Sequence, residues 1–378
     1  MVTYPKDWTE KTFEQFIKIK RGASPRPIEA YLTKSHNGVN WIKIGDASKG
    51  SKYITATKEK ITEQGAVHSV SVFPGDFILS NSMSFGRPYI LKIDGCIHDG
   101  WLRLFDFSED ADGEFLYYLL SSNYVQNQYS AFAAGSGVQN LNKEVVKKVS
   151  IYLPPMTEQK RIVETLSSFD EYIDDLAELI EKKKSIRDGA LEDLISGRTR
   201  LDNYDYEWKE GKIGDVLQIL HGKNQRKVES CSGKYPILGT GGIIGKATEF
   251  LCDWECVLIG RKGTIDSPMY MNTPFWTIDT LYYSKPADNQ CVKFQYFLFS
   301  TINWYDYTES SGRPSLAKKV IEEIPIKIPE YEEQFKIATV LTSMDEEIEA
   351  LEIERDKMIQ IRDGAMDDLL SGRVRLKN

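Results

Sequence analysis

Leu153 begins the stretch LPPMTEQKRIVETLSSFDEYIDDL, and Ile328 begins IPEYEEQFKIATVLTSMDEEIEAL. Both run on into matching ends, IRDGALEDLISGRTRL finishing at Leu201 and IRDGAMDDLLSGRVRL finishing at Leu376. At a constant offset of 175, about 23 of 49 aligned positions are identical. That is far beyond compositional chance, so the chain contains an internal repeat.

Outward from the repeat, the flanking segments echo each other more weakly. Tyr4, Trp8 and Gly22 recur as Tyr204, Trp208 and Gly222, Phe16 and Ile19 match Val216 and Ile219, and Gly137 and Leu141 match Gly312 and Leu316. The expected order is variable domain (1–153), repeated segment (154–201), variable domain (202–328) and repeated segment (329–378).

Each repeated segment reads as a long helix. Pro154 and Pro329 stand just ahead, where proline is tolerated, and Glu158, Glu332 and Glu333 suit a positive helix N-terminus. Ile162, Leu166, Phe169, Ile173, Leu176 and Ile180 follow at alternating four- and three-residue spacing. The second copy sets Ile337, Leu341, Met344, Ile348, Leu351 and Met358 on the same lattice. A period near 3.5 draws one narrow stripe along a helix face, the seam of a two-helix coiled coil. An amphipathic helix packed on its own domain would carry such a stripe too. Its duplication beside an acidic outer face favours pairing. Lys183 and Arg355 interrupt the stripes and would fix register. Gly189 and Gly364 are expected to kink or break the helices, and Gly197 and Gly372 to stop them. Asp170 and Asp345, equivalent in the repeat, read as solvent-facing.

Each variable segment shows short strands between Gly- and Asn-containing turns, such as Val39–Ile44, Phe77–Ser80, Ile237–Gly239 and Cys256–Ile259. A helical stretch follows (Phe115–Phe132, Phe294–Tyr307), then a strand (Val149–Leu153, Ile324–Ile328). The expected fold class is α+β. Two similar mixed α/β domains are separated by two long helices that pair as an antiparallel coiled coil, with internal pseudo-twofold symmetry.

Hydrophobic content of 41% and charged content of 28% are those of a soluble globular protein. No apolar run reaches the ~18 residues of a membrane span, and Met1 to Trp8 lack a signal-peptide pattern, so a cytoplasmic location is expected. The net charge of −8 is uneven: roughly +2 over 1–155, −3 over 156–201, −1 over 202–329 and −6 over 330–378. The acidity belongs mostly to the repeated segments, and a near-neutral domain can still carry a basic face.

Two motifs now carry a resemblance. Pro154-Pro155-Met156-Thr157-Glu158-Gln159 opens the first helix and Leu194-Ile195-Ser196-Gly197-Arg198-Thr199-Arg200-Leu201 closes it. The second copy departs at Pro329-Glu330 but keeps Glu333-Gln334. With the domain order, this resembles the specificity subunit of type I restriction–modification systems over essentially the whole chain. The resemblance implies two target-recognition domains, each reading half of a split double-stranded DNA target. It implies helices that fix the gap and dock two adenine methyltransferase subunits, with restriction and translocase subunits completing the nuclease. It implies no cofactor in this chain: S-adenosylmethionine, ATP and Mg²⁺ would belong to the partners. A helix of about 40 residues spans ~60 Å, which sets an upper bound of roughly 17 base pairs on the gap.

Base reading needs side chains on loops of close backbone approach, with cations for phosphates. The first domain offers Lys18, Lys20, Arg21, Ser24 and Arg26, then Asn81, Ser82, Ser84 and Arg87, then Ser136, Gln139 and Asn140. The second offers His221, Lys223, Asn224, Gln225, Arg226 and Lys227, then Arg261 and Lys262, then Ser311 and Arg313. Any one of these alone reads equally as a solvated loop residue. As groups they favour DNA contact.

Catalytic signals are set aside. Gly239–Lys246 resembles a phosphate loop, but Thr240 replaces the first Gly and Ala247 the Mg²⁺-holding hydroxyl. Cys231, Cys252, Cys256 and Cys291 would make a conceivable zinc site. Aligned with Phe73 and Phe77, however, Cys252 and Cys256 read as small buried hydrophobes, and no metal site is expected. The chain is therefore expected not to be an enzyme. The competing readings are a self-sufficient pseudo-dimeric nuclease and a coiled-coil assembly hub without DNA.

Overall fold

The computed structural model describes residues 4–47, 50–81, 86–134, 141–308, 312 and 314–376. They form two compact units, one of residues 1–175 and 355–378, the other of residues 176–354. Each unit thus owns one variable domain and one half of each long helix.

In the first unit, one five-stranded sheet runs in the order Lys18–Arg21, Trp101–Phe105, Phe77–Ser80, Pro88–Leu91, Tyr53–Ile54. The Phe77–Ser80 strand is buried on both faces, hence its unbroken apolar run. Phe77 and Leu79, with Leu102 and Leu104, face a core shared with Phe115, Leu119, Ile162 and Leu166. Ile78 and Trp101 face the opposite core with Ile42, Tyr89 and Ile97. A second five-stranded sheet holds Val39–Ile42 parallel to Gly95–Ile97.

The second unit repeats the plan with fewer strands. Its four-stranded sheet runs Leu217–His221, Leu281–Pro286, Cys256–Gly260, Met269–Met271. Val257 and Ile259 face the core that takes Ile337 and Leu341, while Cys256 and Leu258 face the other side. A three-stranded sheet pairs Tyr235–Gly239 with the antiparallel Gly242–Ala247 and the parallel Trp276–Thr277.

In both units the variable domain closes on itself. Thr9–Thr12 pairs antiparallel with Ser150–Leu153, and Lys209–Lys212 with Pro325–Ile328. The first and last strands therefore lie side by side, directly before a long helix.

The long helices span Met156–Ser196 and Tyr331–Leu370. Both run unbroken through Gly189 and Gly364, so the break expected there is absent: with open space where each Cβ would stand, neither glycine marks a change of backbone. Gly197 and Gly372 do stop the helices, at φ of +72° and +70°, a left-handed conformation that glycine adopts without strain.

Antiparallel pairing of the helices is visible inside each unit. In the second, Lys183 meets Glu347, Arg187 meets Asp345, and Lys184 meets Glu352, all at 2.7 Å. In the first, Arg362 meets Asp170 at 2.6 Å. Asp170 and Asp345 are thus ion-paired across the helices, a correction to their solvent-facing reading. Ile162, Leu166, Leu176, Ile180, Ile337, Leu341 and Ile348 are buried, and Phe169, Ile173, Met344, Leu351 and Met358 half-buried. No seam residue is exposed.

The two motifs prove to be partners. Buried Glu158 accepts from Arg375 at 2.5 and 2.7 Å and from the Trp8 indole at 3.2 Å. Glu333 accepts from Arg200 at 2.6 and 2.7 Å and from the Trp208 indole at 3.2 Å. The start motif of one copy therefore locks onto the end motif of the other. The adjacent glutamines bind the helix start to its domain. Gln159 accepts from the Asp112 N–H at 2.8 Å, and Gln334 from the Cys291 N–H at 3.0 Å. Asp112 and Cys291 are the N-caps of the domain helices Gly113–Ser121 and Val292–Thr301. Among the described residues no helix is long and apolar enough to cross a membrane.

Candidate nucleic-acid interface

Two turns organise the basic loops. In the first domain the turn is His98-Asp99-Gly100; in the second it is Ile278-Asp279-Thr280. Each follows a short parallel strand and leads into the strand that pairs with the basic segment, Trp101–Phe105 or Leu281–Pro286.

Gly22 and Gly222 press their backbones onto these turns. A Cβ on Gly22 would stand 2.0 Å from the His98 carbonyl oxygen, and one on Gly222 would stand 1.9 Å from that of Ile278. Only glycine permits such an approach.

Around Asp99 the polar groups converge. The Ser24 hydroxyl donates to its carboxylate at 2.6 Å, Arg26 lies 3.8 Å away, and Arg21 Nε and the Asn81 amide donate to its carbonyl at 3.2 and 3.0 Å. The Ser24 hydrogen bond, working against burial, holds the Asp99 carboxyl below its ordinary value. Lys18 is paired with Asp106, and Lys20 lies 5.8 Å from the Phe105 ring centroid.

Among the described residues, the second turn collects more cations without a carboxylate partner. Arg261 donates to the Asp279 carbonyl at 3.2 Å, and the Arg261 and Lys262 N–H groups both donate to Thr280 O. The Lys223 N–H donates to Thr277 O at 2.8 Å, and His221 packs edge-on against Tyr282 at 5.0 Å. Asn224 accepts from the Arg226 N–H at 2.9 Å, which shapes the loop. Gln225 is half-buried, and Lys223, Arg226 and Lys227 are exposed.

The structure thus brings together Lys20, Arg21, Ser24, Arg26 and Asn81 in one domain, and His221, Lys223 to Lys227, Arg261 and Lys262 in the other. It modifies two assignments. Asn81 is buried and committed to Asp99, so it shapes the loop from below. Arg87 stacks over Tyr89 and lines a cavity of about 340 Å³ with Tyr117, Tyr118 and Arg362, on the side of the long helices. Ser82, Ser84, Ser136, Gln139, Asn140, Ser311 and Arg313 lie outside the described residues.

Asp99 and Asp279, the organising residues, were not among the sequence candidates. Their signal was an acid at corresponding turns, 77 residues after Arg21's neighbour Gly22 and 57 after Gly222.

Cys252 and Cys256 are fully buried with sulfurs 3.9 Å apart, in keeping with small buried hydrophobes; Cys291 is buried and Cys231 exposed. The strand pairings Ser80↔Trp101 and Gly260↔Leu281 align Cys256 with Asp76, one residue from the expected Phe77.

The family model described as the type I restriction modification DNA specificity domain matches residues 5–186 and 206–359. The chain is 23% identical to the type I restriction enzyme MjaVIII specificity subunit of Methanocaldococcus jannaschii, covering 99% of this chain and 94% of that one. The structure of a type I restriction–modification S subunit from M. genitalium superposes with a TM-score of 0.62 at 20% identity, covering 96% of each chain. A chain from a type I system solved for its complex assembly and conformational transition gives a TM-score of 0.69 at 18% identity, covering 98% of this chain and 100% of that one. These likenesses show a shared fold.

Proposed function

Because the chain belongs to the family of type I restriction–modification DNA specificity domains, we propose that it reads a bipartite duplex target, one half with each variable domain. The long helices set the gap between the half-sites and dock two adenine methyltransferase subunits, and restriction subunits join that assembly. In this reading the chain performs no chemistry. S-adenosylmethionine, ATP and Mg²⁺ act on the partners, in the cytoplasm.

The observation that carries the reading is one loop architecture used twice with different side chains. Gly22 on His98 and Gly222 on Ile278 set equivalent loops, yet the first presents Ser24 and Arg26 and the second Asn224, Arg226 and Lys227. Equal scaffolds with unequal edges suit two unlike half-sites. Asp170 and Asp345, the equivalent acids a pseudo-dimeric nuclease would need, are each held by an arginine.

Mapping N6-methyladenine in cells that express the chain with its methyltransferase tests this. Two short motifs separated by a fixed unspecified gap are expected. An uninterrupted motif, or cleavage of DNA by the purified chain with Mg²⁺ alone, would overturn it.

A further inference from the structure

We propose that the hairpin formed by Tyr235–Gly239 and Gly242–Ala247 enters the major groove, and that Ile243 at its tip reads the C5-methyl group of a thymine. The proposal rests on the DNA-reading function above and names one contact within the second half-site.

Ile243 is 72% exposed and Ile244 51% exposed. Both adjoin the bare turn Thr240-Gly241-Gly242, where Gly242 has φ of +106° and neither glycine has an atom within 4 Å of where a Cβ would stand. Such a turn needs polar residues for solubility, and two isoleucines there want an apolar partner. A two-stranded ribbon is narrow enough for the major groove of B-DNA, where thymine alone presents a methyl group.

The charges around the tip fix what that partner is. Leu238, paired with Ile243, accepts from the Ile278 N–H at 3.2 Å, and a Cβ on Gly239 would touch Ile278 at 3.6 Å. The hairpin therefore rests on the same turn that carries the Lys223–Lys227 loop and the Arg261–Lys262 pair. Lys223, Arg226, Lys227 and Lys262 are exposed, and among the described residues none of them forms an ion pair with a carboxylate. An apolar tip flanked by unneutralised cations matches bases bordered by phosphates. A purely apolar protein partner would leave those charges unanswered.

Among the described residues the first domain lacks this device. The pairing Ile42↔Ile97 corresponds to Leu238↔Thr277, and the chain beyond Ile42 turns through Ile44–Asp46. There the Asp46 carboxylate accepts from the Lys43 and Lys58 N–H groups at 2.8 and 3.2 Å. The methyl reading is thus confined to one half-site.

The test replaces each thymine of the mapped second half-site, one at a time, by deoxyuridine, which keeps every hydrogen-bonding group and loses only the methyl. Duplex affinity is measured for the assembled methyltransferase–specificity complex, wild type and Ile243→Ala. One replacement is expected to weaken wild-type binding about fourfold, the worth of one buried methyl group, and to have no effect on Ile243→Ala. A second half-site without thymine, no effect of any replacement, or an undiminished effect in Ile243→Ala overturns the proposal. Failure of the DNA-reading function itself is read separately, as a wild-type complex that gives no bipartite methylation map.

Discussion

Arg187 donates from Nε to Asp345 Oδ1 at 2.7 Å and from Nη2 to Oδ2 at 3.3 Å, and the repeat returns the pair with its copies exchanged, Arg362 to Asp170 at 2.6 Å. One arginine–aspartate pair, duplicated, sets the antiparallel register in each unit. Parallel pairing would place like positions together and leave both arginines facing non-partners. The bidentate geometry makes register a directional property as well as a hydrophobic one.

Arg187→Ala should therefore lower stability of the helix pair by about 1–2 kcal/mol, discounted because Asp345 is partly exposed. The charge-swapped double variant Arg187→Asp with Asp345→Arg should recover most of the loss. Thermal unfolding of the two singles and the double checks this; additive losses would show that the pair sets no register.

Glu333 is nearly inaccessible and receives Arg200 and Trp208 together. Glu333→Leu leaves a half-buried guanidinium and an indole N–H without their acceptor, and should cost about 3 kcal/mol. Glu158→Leu, which strands Arg375 and Trp8, should behave alike. The matched change Glu333→Leu with Arg200→Leu should cost less than Glu333→Leu alone. Denaturation midpoints of all four proteins decide it.

The helices, their stripe and the duplication were legible because period and repetition are properties of the string itself. The ion pairs were not: nothing near Asp170 in sequence names Arg362, 192 residues away, and only the antiparallel register brings them together. Glu158 and Glu333 read as helix-end charges because one end of a helix is local, whereas Arg375 and Arg200 come from the other copy. The basic loops were legible as glycine beside cations. Their organising turns at Asp99 and Asp279 were not, since most of their contacts run through backbone carbonyls, which no residue type in the string announces. The alignment of Cys256 slipped by one because the domains differ in loop length, and a one-residue slip reverses which face a strand side chain meets.

Asp99 offers a pH test. Its folded-state value lies below the ordinary 3.8, chiefly through the Ser24 hydroxyl. A depressed carboxyl contributes stability that is full above the unfolded value and is lost as pH falls through the folded one. Ser24→Ala should therefore destabilise the first domain most at neutral pH, with the difference from wild type shrinking below about pH 4. Stability measured across pH 2–7 checks it; a constant difference would assign the effect to the lost hydrogen bond alone.

Gly222→Ala puts a methyl 1.9 Å from the Ile278 carbonyl oxygen, a clash of backbone with no flexible group to yield. The loop from His221 to Lys227 must lift from its turn. Affinity of the assembled complex for its target should fall at least tenfold, a loss of about 1.4 kcal/mol or more. Gly22→Ala should do the same through His98. Gly45→Ala, at an exposed glycine that meets nothing within 4 Å, should be far milder. Comparable losses in all three would mean that the turns do not position the readers.

Thr9 stands opposite Leu153 and Lys209 opposite Ile328, so each variable domain enters and leaves through neighbouring strands. A domain with adjacent ends can be exchanged without altering what lies beyond them. Replacing residues 1–150 with the first domain of another family member should change one half of the methylated target and leave the other half and the gap intact. Inserting four residues at Leu179, about one helical turn, should do the reverse, widening the gap while both halves stay the same. Methylation maps of the two variants separate the roles. A domain exchange that altered both halves would mean that the readers are not independent, and an insertion that altered a half-site would mean that the long helix takes part in reading bases.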